Sequence, residues 1–383
     1  MRPTDDRILN YVTFSDEPDR ADIARDLDLP TPTVVSAVRR LVASGALTEA
    51  KEAGQPKRAG RPSRALRVAG PSSVVGLIGW HGDTLRVLGL GLDGTVLDQT
   101  ERPRPDPSRG VSGLFDAVDT AVARAERLRD HRLGVIVVSI PAPFLSGRGV
   151  PAELPSGETG ATQFPLIAAG DVEGVLTERH GVPVLIENDA NLAAIGELYR
   201  GAGRGIAHSI YLKLTPHGVG SALIVNGRLV RGAQGFAGEL SHLQVDRDGV
   251  LCACGGRGCL LYRVREQILA AAQPAYDEPI TYGDLPRLAQ AGDLGAVRML
   301  HDIGRTLGEP LARLSTVLDP ERIIVGGSFG ASTEDVIVGI REALGVQAPP
   351  AIATNVQLVT GELADQGEEH GALELARLTA RHG

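Results

Sequence analysis

The chain has 383 residues, of which 43% are hydrophobic, so it is long enough for two or three globular domains. Its formal net charge of −8 excludes a protein that binds nucleic acid over its whole surface, and its longest apolar run, LGVIVVSIPAPFL, is interrupted by prolines and too short to span a membrane. The acidic start MRPTDDRILN lacks the basic and apolar regions of a signal peptide, so we expect a cytoplasmic protein.

Charge is unevenly distributed along the chain. Residues 1–38 carry four arginines and eight acidic residues, for a net charge of −4, whereas residues 39–67 carry eight basic and two acidic residues, for +6. The rest, residues 68–383, has a net charge of −10. Positive charge concentrated in one segment of an acidic protein indicates local contact with nucleic acid.

Three short helical patterns begin the chain. The first covers about residues 4–14 and the second the stretch RADIARDLDL. In the third, TPTVVSAVRRLVASG, we expect Thr31 as the N-cap, Pro32 at the first helical position and Gly45 as the stop. Two short helices joined by a turn of about four residues predict a helix-turn-helix.

Polar side chains of the third helix are the candidates for DNA contact, because arginine can form two hydrogen bonds with guanine and hydroxyls can reach phosphate. These candidates are Thr31, Thr33, Ser36, Arg39 and Arg40. A three-helix module that binds a protein partner is the alternative interpretation of this pattern.

A strand, a basic loop and a second strand are predicted next. GALTEA and ALRVAG predict the strands, and KEAGQPKRAGRPSR predicts the loop, which together make residues 1–70 a winged helix-turn-helix domain. The extended tripeptide at 60–62 suits the narrow minor groove of A·T-rich DNA, so Arg58, Arg61 and Arg64 are further candidates for DNA contact. A flexible linker is the alternative.

From residue 72 onward, strand and helix patterns alternate, which predicts an α/β fold for a second module, 71–383. A turn at Asp93 and Gly94 separates two of the first strands. GVPVLIENDANLAAIGELYRG predicts a strand that runs into a helix, and HSIYLKLTPHGVGSALIVNGRLVRG predicts a hairpin. The part after residue 264 is predicted to be mostly helical, with RIIVGGSFG as its strand.

All three cysteines fall within one short stretch. Together with a histidine they form the pattern H-x9-C-x-C-x4-C, made of His242, Cys252, Cys254 and Cys259. Three thiolates and one imidazole fill a tetrahedral zinc site and leave no position for water, so we expect structural Zn²⁺ in a reducing compartment. Buried free cysteines are the alternative.

Four motifs in order resemble those of the ROK family, which groups repressors, open reading frames and sugar kinases. They are ENDANLAAIGE, GVGSALIVNGRLVRGAQGFAGELSHLQV, CACGGRGCL and IIVGGSFG. The resemblance implies an actin-like, two-lobed sugar-kinase fold with a ligand between the lobes. It also implies that a member with an N-terminal helix-turn-helix is a repressor.

The resemblance further implies site residues. Asn188, Asp189, Glu239 and His242 match family positions that contact the sugar, and Asp189 matches the kinase base that accepts a proton from a sugar hydroxyl. The phosphate-binding elements depart from the family pattern. GWHGDT has Gly79 where the family has aspartate and Asp83 where it has glycine, and TPHGVGS keeps only part of the second loop. An acidic residue facing phosphate is unfavourable, so we expect no kinase activity and an idle Asp189.

Parts of the sugar pocket also differ from the family. Leu261 replaces a common glutamate, and Glu153 replaces the usual asparagine. The effector is therefore a modified sugar, another small molecule or absent, and Asn188, Asp189 and Glu239 are alternatively inherited scaffolding. The resemblance, together with the need for paired DNA-binding heads, implies a homodimeric or homotetrameric repressor that binds a pseudopalindromic operator and responds to a carbohydrate-like ligand. A sugar kinase and a regulator without ligand response remain alternatives.

Overall fold

The described chain consists of an N-terminal unit and two α/β lobes. The structure is a computed structural model that describes residues 3–15, 18–49, 64–68, 72–81, 84–103, 111–125, 127, 131–146, 171–252 and 254–382. The basic loop with Arg58 and Arg61, the residues Gly82 and Asp83, and Glu153 lie outside this description.

The N-terminal unit contains three helices and a two-stranded antiparallel sheet. Its elements are α1 (Pro3–Thr13), α2 (Arg20–Asp26), α3 (Thr31–Ala43), β1 (Leu47–Glu49) and β2 (Leu66–Val68). One apolar core joins all five elements, and each element contributes a buried side chain to it, namely Ile8, Ile23, Val34, Leu47 and Leu66. The predicted helices and strands of this unit are therefore present, in the predicted order.

The start of α3 differs by one residue from the prediction. Pro30 is the N-cap, and its carbonyl accepts hydrogen bonds from the N–H groups of Thr33 and Val34 at 2.9 and 3.1 Å. Thr31 is therefore the first helical residue, and its side chain makes no cap hydrogen bond. The predicted stop is confirmed, because Gly45 adopts a φ of 74°, which favours glycine after the end of a helix.

The first lobe is built on a five-stranded sheet with the order β5-β4-β3-β6-β7. Its strands are β3 (Ser72–His81), β4 (Thr84–Gly91), β5 (Val96–Pro103), β6 (His131–Ile140) and β7 (Val184–Asn188). β3, β4 and β5 are antiparallel, whereas β6 and β7 run parallel to β3. The predicted turn is confirmed by Gly94, with a φ of 95°, and by Asp93, which accepts the N–H of Thr95 at 3.0 Å.

The second lobe repeats this topology, with the strand order β10-β9-β8-β11-β12. Its strands are β8 (Ser209–Thr215), β9 (Gly218–Val225), β10 (Arg228–Leu229), β11 (Arg322–Gly327) and β12 (Gln357–Thr360). β12 was not predicted from the sequence. It is a four-residue edge strand, QLVT, whose side chains are exposed or partly buried, and two consecutive apolar residues are too short a run to predict a strand.

Helices complete the two lobes. The first lobe and the junction contain α4 (Val111–Ala125), α5 (Val172–His180) and α6 (Asp189–Arg200). The rest of the chain contains α7 (Leu260–Tyr262), α8 (Ile268–Ala272), α9 (Leu285–Gln290), α10 (Leu294–Leu318), α11 (Thr333–Gln347), α12 (Pro350–Asn355) and α13 (Gly367–His382). None of the helices described here, including the 25-residue α10, has the apolar length that a bilayer crossing requires.

Two helices, α6 and α13, pack closely at the junction of the lobes. A Cβ atom at Gly196 would lie 2.3 Å from the carbonyl oxygen of Gly367, and one at Gly371 would lie 1.9 Å from that of Leu192. Only glycine permits this separation of the helix backbones, since both distances are far below van der Waals contact. The two helices therefore form one rigid pair.

The end of the first helix anchors the N-terminal unit to the first lobe. The side chain of Phe14 is buried in the same apolar cluster as Val75 and Val135. Its backbone carbonyl accepts a hydrogen bond from Nε of the buried Arg377, on α13, at 2.6 Å. Apolar packing and a charged donor together hold this segment in place.

Candidate functional site

The junction between β7 and α6 carries two of the predicted effector residues. Asn188 is the N-cap of α6, and its Oδ1 accepts hydrogen bonds from the N–H groups of Ala190 and Asn191 at 2.9 and 3.0 Å. Its Nδ2 donates to the carbonyl of Ala142 at 3.2 Å. The buried amide of Asn188 is thus occupied in shaping the start of the helix, which supports the scaffold interpretation for this residue.

Asp189 is engaged through both carboxylate oxygens. Oδ1 accepts the N–H of Ala190 at 2.8 Å, and Oδ2 accepts a hydrogen bond from the ammonium of Lys213 at 2.7 Å. Lys213, on β8, also donates to Oε1 of Glu368 at 2.5 Å, and Glu368 Oε2 accepts the hydroxyl of Ser139 at 2.5 Å. The position that matches the kinase base is therefore held in a buried ion network.

No role was predicted from the sequence for Lys213 or for Glu368. Burial alone would lower the pKa of Lys213, but the charges of Asp189 and Glu368 and their hydrogen bonds outweigh it and raise that pKa above its ordinary value. One signal in the sequence marks Lys213, since every other lysine of the chain lies at 51 or 57, within the basic loop. The ammonium is permanently charged, so it neutralises one of the two carboxylates.

A second buried pair supports the same turn. Glu187 Oε2 pairs with the guanidinium of Arg231 at 2.6 Å, and Glu187 Oε1 accepts hydrogen bonds from the N–H of Asn188 and from Nδ2 of Asn191. The polar groups of the ENDAN stretch are thus satisfied within the protein, as burial requires. This turn is held rigidly before any ligand binds.

Glu239 is the predicted effector residue that keeps an available carboxyl group. It is partly buried, and its side chain makes no hydrogen bond or ion pair with the residues that the structure describes. Desolvation by burial, aided by the negative charge of Asp189, raises the pKa of Glu239 to about 8. At neutral pH this carboxyl therefore holds a proton and can donate a hydrogen bond to a ligand oxygen.

The four predicted metal ligands come together in space. One donor atom each from His242, Cys252, Cys254 and Cys259 lies within 4.8 Å of all the others. Cys254 Sγ lies 3.6 Å from Cys259 Sγ, and Cys252 Sγ lies 3.5 Å from His242 Nδ1. A tetrahedral ion with bonds of about 2.3 Å to sulfur separates its donors by roughly 3.8 Å, so the cluster can hold a metal ion.

The electrostatics of this cluster agree with cation binding. Burial raises the pKa of the Cys252 and Cys259 thiols, and burial lowers the pKa of His242. The imidazole is therefore neutral and ready to coordinate, whereas the thiols need a nearby cation to become thiolates. Nδ1 of His242 lies next to Cys252 Sγ, so Nδ1 is the ring nitrogen placed to coordinate a metal ion. Nε2 can then form a hydrogen bond with another group.

Two stretches of the chain match the phosphate loops of the family, one at the end of β3 and one between β8 and β9. Gly79 is near the end of β3, but the adjoining Gly82 and Asp83 lie outside the described residues. In the second stretch, Pro216 and His217 form the tight turn between β8 and β9. Leu261 contacts this turn, because a Cβ at Gly218 would lie 2.9 Å from its Cδ1 atom.

Most predicted DNA-contact residues of α3 lie on one exposed face. Thr31, Thr33, Ser36 and Arg39 are exposed, and Arg39 makes no ion pair with the described residues. Arg40 differs, because its guanidinium pairs with the buried carboxylate of Asp5 on α1 at 2.5 Å. DNA contact stays a prediction for all five residues, and Arg40 has a second role in joining α1 to α3.

Arg64 is the described residue of the predicted wing. It is exposed, and it pairs with Glu49 at 2.7 Å, while Arg20 pairs with the other oxygen of the same carboxylate. These charges lower the pKa of Glu49 and tie the base of the two-stranded sheet to α2. Arg58 and Arg61 lie outside the described residues, so their roles stay predictions.

Known repressors are among the relatives of this chain. The chain is 31% identical over 212 residues to the xylose repressor of Bacillus spizizenii, which is 55% of this chain and 54% of that protein, so it matches about half of the repressor's length. It is 25% identical over 375 residues to the DNA-binding transcriptional dual regulator NagC of Escherichia coli, covering 95% of this chain and 89% of that protein.

Solved structures show the same fold. A ROK family transcriptional regulator described as a homolog of the E. coli MLC protein aligns with a TM-score of 0.74 and 22% identity, over 98% of this chain and 96% of that chain. A ROK family glucokinase from Streptomyces griseus, solved with glucose and AMPPNP, aligns with a TM-score of 0.62 and 26% identity, over 80% of this chain and 99% of that chain.

These alignments confirm the predicted actin-like, two-lobed sugar-kinase fold. The model of the ROK family matches residues 78–378, which is well over half of the chain and includes both α/β sheets and the cysteine cluster. The chain therefore belongs to the ROK family.

Proposed function

We propose that the protein is a transcriptional repressor that binds a specific DNA operator and releases it in response to a carbohydrate-like ligand between the lobes. The observation that carries this proposal is the exposed face of α3, whose small polar residues and Arg39 point away from the core of a helical unit joined to a ROK fold. Repressor relatives support it, and NagC aligns along nearly the whole chain.

The N-terminal unit has the element order of a winged helix-turn-helix. In this proposal α3 enters the major groove, and the basic loop after β1, with Arg58, Arg61 and Arg64, follows the adjacent minor groove. Residues 1–70 form this DNA-binding domain and residues 71–383 form the effector-binding and oligomerisation module. Both work in the cytoplasm, where DNA is accessible.

A symmetric operator requires two DNA-binding domains. The proposed active form is therefore a homodimer or homotetramer that binds a pseudopalindromic site, with half-sites separated by about one helical turn of DNA or a multiple of it. Zn²⁺ held by His242, Cys252, Cys254 and Cys259 has a structural role, because the loop that carries these ligands has no apolar core of its own.

A ROK-type sugar kinase is the second candidate, since a ROK glucokinase shares the fold of both lobes. The ion pair at Asp189 argues against it. Lys213 and the Ala190 N–H already donate to the two carboxylate oxygens of Asp189, so a sugar hydroxyl would have to compete for them, and Pro216 in the second loop has no N–H to offer to phosphate.

Selection of bound genomic fragments tests the proposal. Purified protein is mixed with sheared DNA from its source at moderate salt, retained fragments are sequenced, and their complexes are screened for release by sugars and sugar derivatives. The proposal expects a shared palindromic motif and release by at least one carbohydrate-like compound. Absence of any sequence preference contradicts it, whereas ADP formation with a hexose, ATP and Mg²⁺ supports the kinase.

A further inference from the structure

Lys213 is unusual in this chain, because the sequence contains 3 lysines and 36 arginines, and the other two lysines lie at 51 and 57. Its side chain is about 9% exposed and lies between the carboxylates of Asp189 and Glu368. A lysine ammonium is a compact charge with three N–H donors on a flexible stem, so it can bond the partly buried carboxylate of Asp189 and the buried carboxylate of Glu368 together.

The Lys213 network joins elements that are far apart in the sequence. Lys213 belongs to β8 of the second sheet, Asp189 begins α6, and Glu368 belongs to the first turn of α13. The chain of hydrogen bonds ends at Ser139, on β6 of the first sheet. Any displacement of the Asp189 carboxylate by a ligand therefore also changes the support of the α13 start.

The other half of α13 holds the N-terminal unit. Arg377 donates to the carbonyl of Phe14 at 2.6 Å and to the carbonyl of Leu92 at 2.8 Å, and it pairs with Glu374. Glu374 also accepts the guanidinium of Arg200, at the end of α6, at 2.7 Å. Glu368 and Arg377 are separated by roughly 14 Å along the helix axis.

The segment between these two ends is stiff. The backbones of α6 and α13 approach each other at Gly196 and Gly371, where a Cβ would lie 2.3 and 1.9 Å from a carbonyl oxygen of the other helix. A helix pair packed this closely moves as one body, because neither helix can shift without clashing with the other. Both ends of the pair are tied, at Asp189 near the effector site and at Arg200 near the N-terminal unit.

We infer that Lys213 is a positioning residue that transmits ligand binding at Asp189 to the DNA-binding unit through α13. This inference rests on the proposed regulatory function. A ligand hydroxyl that donates to Asp189 competes with Lys213 for the carboxylate, the α6–α13 pair shifts as one body when the bond of Glu368 to Lys213 changes, and the Arg377 contact with Phe14 shifts with it. Coupling of this kind requires an element with two positions that both sites influence.

Hydrogen exchange in the full-length protein, without DNA or ligand, tests the inference. Lys213→Met breaks the network, and Arg305→Met is the control for loss of a cation that pairs with two carboxylates, because Arg305 pairs with Asp302 on α10 and Glu342 on α11 and is about half exposed. We expect Lys213→Met to speed amide exchange at least threefold in residues 11–15 and 374–380. Amides of α10 are the reference for global unfolding and should not change.

Faster exchange at both remote segments in Lys213→Met, and not in Arg305→Met, supports the inference. Exchange that changes only next to residues 139, 189, 213 and 368 overturns it, as does an equal effect of Arg305→Met. If Lys213→Met does not fold, the double variant Lys213→Met, Glu368→Gln replaces it in the comparison. Loss of the lysine leaves two carboxylates without a cation, and the second substitution removes the charge of one of them. These measurements need no operator DNA, so a negative result here can be distinguished from failure of the fragment selection that tests the proposed function.

Discussion

Individual side chains at the lobe junction are polar, and most of their hydrogen-bonding groups are engaged within the protein. Asp189 keeps its charge, but Lys213 and the Ala190 N–H occupy both of its oxygens. Glu239 has no hydrogen-bond or ion-pair partner among the residues that the structure describes, and burial raises the pKa of its carboxyl to about 8. The pair thus offers a ligand one fixed acceptor and one donor, which suits hydroxyl recognition and not proton abstraction.

The raised pKa of Glu239 gives a prediction for stability against pH. The folded protein binds this proton up to about pH 8, whereas an unfolded glutamate loses it near pH 4.5, so the folded state binds more protons between these values. Stability from this group is fully present below pH 4.5 and is lost progressively as pH rises from 4.5 to 8. We expect Glu239→Gln to gain stability over the wild type at pH 8, on the order of 2 kcal/mol, and little at pH 5.

Urea unfolding of both proteins at pH 5 and pH 8, with the metal retained, measures this difference. Glu334→Gln is a suitable control, because Glu334 carries a carboxyl on the exposed surface of α11. A stability difference between wild type and Glu239→Gln that is equal at both pH values contradicts a protonated Glu239.

Residues that act through neighbours in sequence were predictable, and residues that act through distant partners were not. The metal ligands were found because all of them fall between 242 and 259 and only one spacing joins them. The Lys213 network was missed because its partners lie 24 and 155 residues away and meet only when both sheets have formed. The same reason explains Arg40, whose partner Asp5 is 35 residues distant.

At the scale of elements, helix and strand order followed from apolar periodicity, but contacts between elements did not. The predicted strand-to-helix transition at ENDAN is present at Asn188 and Asp189. The close contact of α6 with α13 depends on glycines that look ordinary in the sequence, since glycine inside a helix pattern also occurs where nothing packs against it.

A pair of glycine variants tests that contact. Gly371→Ala places a methyl group 1.9 Å from the carbonyl oxygen of Leu192, so we expect it to destabilise the protein by about 1–3 kcal/mol despite the better helix propensity of alanine. Gly345→Ala is the matched control, because it is also within a helix, α11, and a Cβ there meets nothing within 4 Å. We expect that variant to be more stable than wild type by about 0.5–1 kcal/mol. Thermal unfolding separates the two, and equal effects would argue against a close helix pair.

The cysteine loop is the second element with a direct test. We expect about one zinc ion per chain, and thiols that react with a disulfide reagent only after a chelator is added, because coordinated thiolates are shielded. Cys254→Ser should lose zinc, whereas Arg247→Ala, an exposed residue of the same loop that is not a ligand, should keep it. Metal analysis and thiol counting measure both. Freely reactive thiols in the purified wild type would favour the alternative of unligated cysteines.

For the whole molecule, the same loop links local folding to the proposed regulation. Removal of zinc should disorder residues 243–259, which are tied to the core by the hydrogen bond of the Leu260 N–H to the Leu243 carbonyl at 2.9 Å. The loop ends where α7 begins, directly beside the predicted effector residue His242. We therefore expect zinc removal to weaken operator binding as well, and unchanged DNA affinity in Cys254→Ser would separate the metal from regulation.

DNA binding by the whole molecule depends on the uneven distribution of its charge. The acidic net charge of −10 in residues 68–383 repels DNA, so attraction must come from the N-terminal unit, where the +6 segment lies. Arg39 is exposed on α3 and free of ion pairs with the described residues, so its replacement by alanine should weaken binding to a selected operator by about 1–3 kcal/mol. Arg298→Ala removes an exposed arginine from α10 and is the matched control.

Titration of a selected fragment at several salt concentrations distinguishes the two possible roles of Arg39. Loss of affinity with a relaxed base preference and an unchanged salt slope indicates contact with a base edge, because phosphate contacts are what release counterions. A uniform loss with a slope reduced by about one indicates contact with phosphate. If Arg39→Ala and Arg298→Ala bind the fragment equally well, α3 is not the recognition helix, and the module that binds a protein partner becomes the better interpretation of the N-terminal unit.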